Sequence, residues 1–343
     1  MNNYDLLESN EVSANAMGGT ELMLRSVYDG TVIPRDLLEQ CQIIPSRPRA
    51  LKEDKIRIMN VHDLPEDPES AKFKDPQFRN NFHKFVFVSN WQYSRYQYVL
   101  GMEYSDKDVV IENGITPLTP NYAGKLADDK IRLVYASTPH RGLEILVPVF
   151  QKLAEKYPQI HLDVFSSFKI YGWEDADKNF EALYNIIKEH PQMTYHGFQP
   201  NDVVKTHIAD KAHILAYPSI YLETGCRVLM ESMAGGLTCV HPNYGALPET
   251  SGLLTHMYHG SSDRVTHANI FASNLDWVID MYVKEREIML KRAEAVSAYA
   301  NNRFDIKHIL TSWMANLESL VKKYPAGSRA PERYVRKFVY KTI

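Results

Sequence analysis

The stretch Ile214-Leu215-Ala216-Tyr217-Pro218-Ser219, then Glu223-Thr224-Gly225-Cys226-Arg227-Val228-Leu229-Met230-Glu231, closed by Ala234-Gly235-Gly236, decides the fold. The opening apolar run does not alternate, which is how a strand buried on both faces of a parallel sheet reads. Pro218 and Ser219 mark its exit into a loop. Val228 to Ala234 reads as a helix that stops at the glycine pair. The order is strand, loop, helix N-terminus. That end of a helix presents unpaired N–H groups and partial positive charge, which attract phosphate. Glu223 and Glu231 would repel phosphate there unless they face another group. Vicinal hydroxyls suit them, because an ionised carboxylate accepts two hydrogen bonds from a diol. The segment is expected to take a nucleotide sugar, with the diphosphate on the helix end, Glu231 on one ring and Glu223 on the other. Two glutamates at this spacing also occur on plain solvated helices; the buried strand before them and the glycine stop after them favour the ligand reading.

Working outward, short apolar runs alternate with helical patterns from about residue 55 to residue 320. The expected strands are Ile56–Val61, Phe85–Ser89, Val109–Ile111, Ile131–Tyr135, Ile160–Phe165, Met193–His196, Ile214–Tyr217 and Leu237–His241. Leu143, Leu146, Phe150 and Leu153 share a helix face, with Pro148 predicting a kink or a later start. Val278, Met281, Met289, Ala293 and Val296 line one further helix, and Trp313, Leu317, Leu320 and Val321 another. The alternation predicts an α/β protein with doubly wound sheets. A linker is expected in the polar stretch Asn121–Asp129. The domains are then 1–125, 126–305, and a C-terminal helix with a basic tail, 306–343, packing back on the first.

The 343 residues suit two domains, and an apolar fraction of 44% with 24% charged residues is that of an ordinary soluble protein. A net charge of −3 gives no global attraction to nucleic acid or anionic lipid. The sequence shows neither a signal peptide nor a membrane-spanning apolar run, and a cytoplasmic location is expected. Cys41, Cys226 and Cys239 are too few for a disulfide framework and lack metal-ligand spacing. Asp106/Asp108 and Asp175/Asp177 match an Asp-x-Asp metal pattern. With 42 acidic residues that arises by chance, and for Asp175 and Asp177 helix N-terminal charge is the simpler role. His256 and His259 lack a third ligand nearby and read as loop residues. A Gly-x-Ser-x-Gly elbow and a Gly-x-Gly-x-x-Gly after the first strand are both missing, so serine-hydrolase and dinucleotide-oxidoreductase readings fail. The tail holds Arg329, Arg333, Arg336, Lys337 and Lys341 among Tyr334, Phe338 and Tyr340. It reads as a strap on the first domain, with peripheral contact to a membrane or nucleic acid as the alternative.

Taken together, these segments resemble the GT-B glycosyltransferases of the retaining family-4 type (glycosyl transferases group 1), from about residue 16 to residue 320. The carrying motifs are Gly18-Gly19-Thr20-Glu21, Val61-His62-Asp63, Val88-Ser89-Asn90-Trp91, Ile111-Glu112-Asn113-Gly114-Ile115, Arg141-Gly142-Leu143, His196-Gly197-Phe198, Glu223 through Gly236, and Leu247-Pro248-Glu249. The resemblance implies two Rossmann-like domains facing across a cleft, the first reduced. It implies a hexosyl- or pentosyltransferase that takes its sugar from a nucleoside diphosphate, UDP favoured and GDP possible, with no cofactor and no metal.

By motif match, Glu223, His62 and Arg141 would be catalytic: Glu223 and His62 on the transferred sugar, Arg141 neutralising the departing diphosphate. Glu231 would hold the ribose, and the amides of Gly225, Cys226, Arg227 and Val228 the distal phosphate. Gly197 and Phe198 would take the base. Gly18, Gly19, Ser137, Thr138, Tyr217 and Thr224 complete the donor-binding set. A second cation usually precedes the Arg141 position; here Ala136-Ser137-Thr138-Pro139-His140 supplies none, leaving Ser137, Thr138 and Arg227 to compensate. The acceptor stays open between glycan, lipid, protein and modified nucleic-acid base. A catalytically inactive nucleotide-sugar-binding module is the competing class. A nucleotide-sugar epimerase, which would share the fold, needs more acid–base groups than the sequence offers.

Overall fold

The computed structural model describes residues 2–7, 18–47, 50–325 and 327–333. The chain divides into two compact units. Unit 1 comprises residues 1–12, 22–113 and 307–343; unit 2 comprises 13–21 and 114–306. The division falls at Asn113/Gly114 and not in Asn121–Asp129. That polar stretch is no linker: Tyr122–Ala127 is helix, with the Asn121 side chain capping the Gly124 amide at 2.9 Å. Its Lys125 is fully buried, donating to the carbonyls of Ile208 (3.0 Å) and Gly235 (2.6 Å) in unit 2. The Lys125 ammonium satisfies buried backbone carbonyls instead of meeting water.

Unit 1 holds a parallel sheet in the order β1 (Cys41–Pro45), β2 (Ile56–Val61), β3 (Lys84–Phe87), β4 (Asp108–Val110). Its core is aromatic, with Phe73, Phe82 and Phe85 meeting edge to face. The C-terminal helix Ile306–Lys323 buries Ile309, Leu310, Trp313, Leu317 and Leu320. Further along, Arg333 bonds the buried Asp108 carboxylate. The last ten residues, which carry most of the basic tail, lie outside the described residues.

Unit 2 holds six parallel strands: β5 (Ile131–Ala136), β6 (Ile160–Phe165), β7 (Met193–Tyr195), β8 (Ile214–Ala216), β9 (Thr238–Pro242) and β10 (His256–Tyr258). Their order is β10-β9-β8-β5-β6-β7. From β5 the chain winds outward through β6 and β7, then returns to β8 on the other side of β5. The sheet therefore reverses between β5 and β8, and the loops leaving those two strands diverge. Open α/β sheets bind ligands at that point.

The eight expected strands all occur, with ends within two residues of expectation. Two edge strands, β1 and β10, were missed. Gln42 and Pro45 break the apolar signal in β1, and β10 is only three residues long. His256 is accordingly in a strand and not in a loop. The helix runs from Leu143 to Lys156 with Pro148 inside it, so it does not start late. The single helix expected from Val278 to Val296 is two, Arg264–Lys284 and Arg286–Arg303, broken at Glu285. Among the described residues no helix is long and apolar enough to cross a membrane. All three cysteines are buried and free.

Candidate functional site

The loop after β5 carries Ser137, Thr138, a short turn Pro139–Arg141, and Gly142 opening the next helix. Gly142 has φ +124°, and a Cβ there would fall 2.2 Å from the Pro218 carbonyl oxygen. Only glycine lets the loop after β5 lie against the loop after β8. This close approach brings Arg141 to Glu223. One terminal nitrogen of Arg141 donates to both Glu223 oxygens, at 2.6 and 2.7 Å.

Glu223 is 5% exposed. It also accepts from the fully buried Tyr217 hydroxyl at 2.6 Å, and its carbonyl accepts from the Ala246 amide at 2.7 Å. The Arg141 guanidinium lies over the Tyr221 ring, 4.3 Å from its centroid. Burial opposes the Arg141 charge, but the Glu223 carboxylate outweighs it and holds the group well above its ordinary value. Burial, then the Glu223 charge, pushes the Tyr217 hydroxyl and the Cys226 thiol well up, so both stay protonated. Thr138 is buried, and its carbonyl accepts from Tyr135 at 2.8 Å.

A second ion pair lies at the start of the helix that follows the loop after β8. Cys226 precedes the helix Arg227–Ala234, and Arg227 donates to Glu231 at 3.2 Å. Asn201, which opens the helix Asn201–Asp210, donates to both Glu231 oxygens at 3.3 Å. Arg227 also bonds the Gly114 carbonyl. Thr224, Gly225 and Val228 are half-buried around this helix start. Gly18 and Gly19 belong to unit 2, not to the first domain as expected from sequence order. A Cβ on Gly18 would come 2.8 Å from the Tyr171 ring, and one on Gly19 would come 3.2 Å from the Arg227 side chain. Gly197, with φ +63°, and Phe198 form the loop after β7.

Unit 2 thus brings Arg141, Tyr217, Glu223, Arg227 and Glu231 to the switch point. His62 lies in unit 1 just past β2, buried, its amide donating to Ser46 Oγ at 3.0 Å. The sequence reading missed Tyr171, Tyr221 and Asn201. Tyr221 and Asn201 each sit within two or three residues of a quoted motif, but nothing local marks them. The Asp-x-Asp carboxylates serve their own surroundings. Asp108 takes Arg333 and the Tyr93 hydroxyl, Asp175 pairs with Lys178, and Asp177 accepts from Ser167, the Phe168 amide and Tyr184. Among the described residues no group of three His, Cys, Asp or Glu side chains could hold a metal ion.

Chemically, the arrangement sets two buried carboxylates and two guanidiniums around the start of a helix. Each carboxylate is neutralised by its own arginine, so the site presents donors and acceptors without a net negative field against an anion.

The family described as "Glycosyl transferases group 1" matches residues 123–295, half of the chain. Among solved structures, the Anabaena protein HepE, in complex with UDP and glucose, is 19% identical, covering 77% of this chain and 72% of its own, at a TM-score of 0.59. A glycosyltransferase from Rickettsia africae is 19% identical over 82% of this chain and 78% of its own, at 0.61. Sucrose-phosphate synthase from Thermosynechococcus elongatus is 15% identical over 79% and 69%, at 0.61. At these identities the likeness is one of fold, the GT-B fold. A comparison with curated proteins finds no match.

Proposed function

The chain belongs to the glycosyl transferases of group 1, and on that premise we propose that it moves a sugar from a nucleoside diphosphate to an acceptor with retention and without a metal. The observation that carries this reading is the meeting of Arg141 and Glu223 at the switch point, beside the start of the helix Arg227–Ala234. Glu231 holds the ribose hydroxyls, Glu223 the hydroxyls of the transferred sugar, and the amides of Gly225 to Val228 the distal phosphate. The loop at Gly197-Phe198 receives the base. UDP is favoured, supported by the UDP complex of a protein with the same fold, and GDP is the second candidate.

As the bond from the sugar to the diphosphate breaks, negative charge grows on the leaving phosphate. Arg141 and the helix amides stabilise it in place of a metal. The departing phosphate oxygen takes the acceptor's proton as the new glycosidic bond forms, so no strong protein nucleophile is required.

A thermal-shift panel of UDP- and GDP-sugars tests the donor. At a hundred times its dissociation constant the right one adds about 2.7 kcal/mol of stability. Donor hydrolysis or transfer is then expected to survive EDTA. Loss on chelation with recovery on adding manganese would overturn the metal-free reading. Binding with no turnover on any acceptor would make the protein a nucleotide-sugar-binding module.

A further inference from the structure

Asp163 lies mid-strand on β6 and is 4% exposed. Its two carboxylate oxygens meet imidazoles from two different elements. His196, at the exit of β7, bonds Oδ1 through Nε2 at 2.8 Å. His207, on the helix Asn201–Asp210, places Nε2 3.2 Å from Oδ2. Both rings also pack on Phe165, at the end of β6. His196 stacks flat on it, with centroids 4.3 Å apart and planes 7° apart, and His207 meets it at 64°. A third imidazole, His161, bonds Thr194 at 2.9 Å through its Nε2, which also lies 4.0 Å from Asp163 Oδ1. Burial alone would raise the Asp163 carboxyl, but the His196 bond and the His207 imidazole beside it outweigh burial and hold the group well below its ordinary value, so it is ionised. An ionised carboxylate only accepts, so this bond assigns the proton of His196 to Nε2.

The residues between those two imidazoles include Gly197 and Phe198. They also include Asn201, which reaches Glu231. One carboxylate therefore meets both the start of this loop and the helix that follows it, while Asn201, the first residue of that helix, reaches Glu231. A role in stability alone does not account for an ionised group here. Burying a charge is costly, and an apolar residue of similar volume usually serves a strand as well. What a buried carboxylate set between two imidazoles, one hydrogen-bonded and one at ion-pair distance, adds is fixed geometry.

We propose that Asp163 is a positioning residue for nucleobase recognition: through His196 and His207 it holds the Gly197–Asn201 loop in the shape that receives the base of the donor. The proposal rests on the reading of that loop as the base site. The partners of Asp163 are His196 and His207 and not Arg141, Glu223 or the start of the helix Arg227–Ala234, which that reading gives to the sugar and the phosphates, so its effect falls on the nucleoside part of the donor.

The test uses calorimetry with UDP, GDP and inorganic pyrophosphate on the wild-type protein, Asp163→Asn and His196→Phe. Asparagine keeps the shape and removes the charge; phenylalanine keeps the stack on Phe165 and removes the bond. Each substitution is expected to weaken the preferred nucleoside diphosphate about tenfold, the effect of losing a charge-assisted hydrogen bond. Pyrophosphate affinity is expected to stay unchanged in both. A mere packing role would lower the unfolding temperature and leave that selectivity intact, which would overturn the proposal, as would an equal loss for all three ligands. If the wild-type protein itself prefers neither nucleotide over pyrophosphate, the base-site reading falls and the proposal with it. If the wild type prefers one and both variants keep the preference, the proposal alone falls.

Discussion

Glu223 and Arg141, 82 residues apart in the chain, share two hydrogen bonds of 2.6 and 2.7 Å in the interior of unit 2. The pair joins the loops leaving β5 and β8, so the two residues cannot act independently. Arg141→Ala and Glu223→Gln are each expected to lower turnover by roughly two to four powers of ten, about 3–5 kcal/mol, the range for one electrostatic group. Arg141→Ala also leaves a buried carboxylate with the Tyr217 hydroxyl in place of a cation, and is expected to cost about 3–5 kcal/mol of stability. The double variant should regain part of that loss. Urea unfolding of the four proteins in the cycle measures it, and strictly additive stabilities would refute the coupling.

Glu231 carries the second prediction. Glu231→Ala removes the ribose acceptor and releases Arg227 from its ion pair. Nucleoside diphosphate affinity should fall by about 1.5–3 kcal/mol for each bond lost. Pyrophosphate affinity should hold or improve, because a guanidinium is freed. Unchanged affinity for UDP and GDP in calorimetry would remove Glu231 from the donor site.

Gly142→Ala is expected to disable the site through the backbone. The added methyl would sit 2.2 Å from the Pro218 carbonyl oxygen at φ +124°. Either the two loops part, separating Arg141 from Glu223, or the protein unfolds more readily, by roughly 1–3 kcal/mol for the strained backbone and more for the clash. Wild-type melting temperature together with wild-type donor binding would contradict it.

Acid pH should weaken the fold through buried histidines. His213 and His241 are each held down to about 4, chiefly by burial. His213 Nδ1 accepts from the Arg132 amide at 3.1 Å, and protonation would destroy that bond. Between about 6.5 and 4 the unfolded chain binds protons that the folded chain refuses, so stability falls as pH falls through this window and is whole above it. The two residues together can withdraw a few kcal/mol, up to roughly 3 each. Urea midpoints at pH 7, 6 and 5 should decline in order, and a flat series would show that these rings are not neutral in the fold.

Much of this protein was legible one segment at a time. Uniformly apolar runs such as Ile160–Phe165 announce doubly buried parallel strands, and the Gly235-Gly236 stop ends the helix that follows Cys226. Such signals are local, because strand burial and helix termination are written within a few residues. The spacing of Glu223 and Glu231 is equally local, and it drew attention to the site. Where the local signal is weak, as in Cys41–Pro45 with its glutamine and proline, the element was lost. Where a polar stretch finds buried carbonyl partners, as Lys125 does, polarity misled.

The sequence by itself determined the class of fold, most of the strands and the residue types that gather around one helix start. Only the tertiary structure decided which of them meet. Parallel strands are joined by crossovers that leave their order free, so no local pattern states that β8 returns beside β5 while β6 and β7 lie on its other side. That order places Glu223 on Arg141, brings His196 and His207 to Asp163, and sets Gly18 against Tyr171 within unit 2. Each of these pairings depends on long-range packing of whole elements, where the free energy of burial is gained collectively and no single residue records its partner.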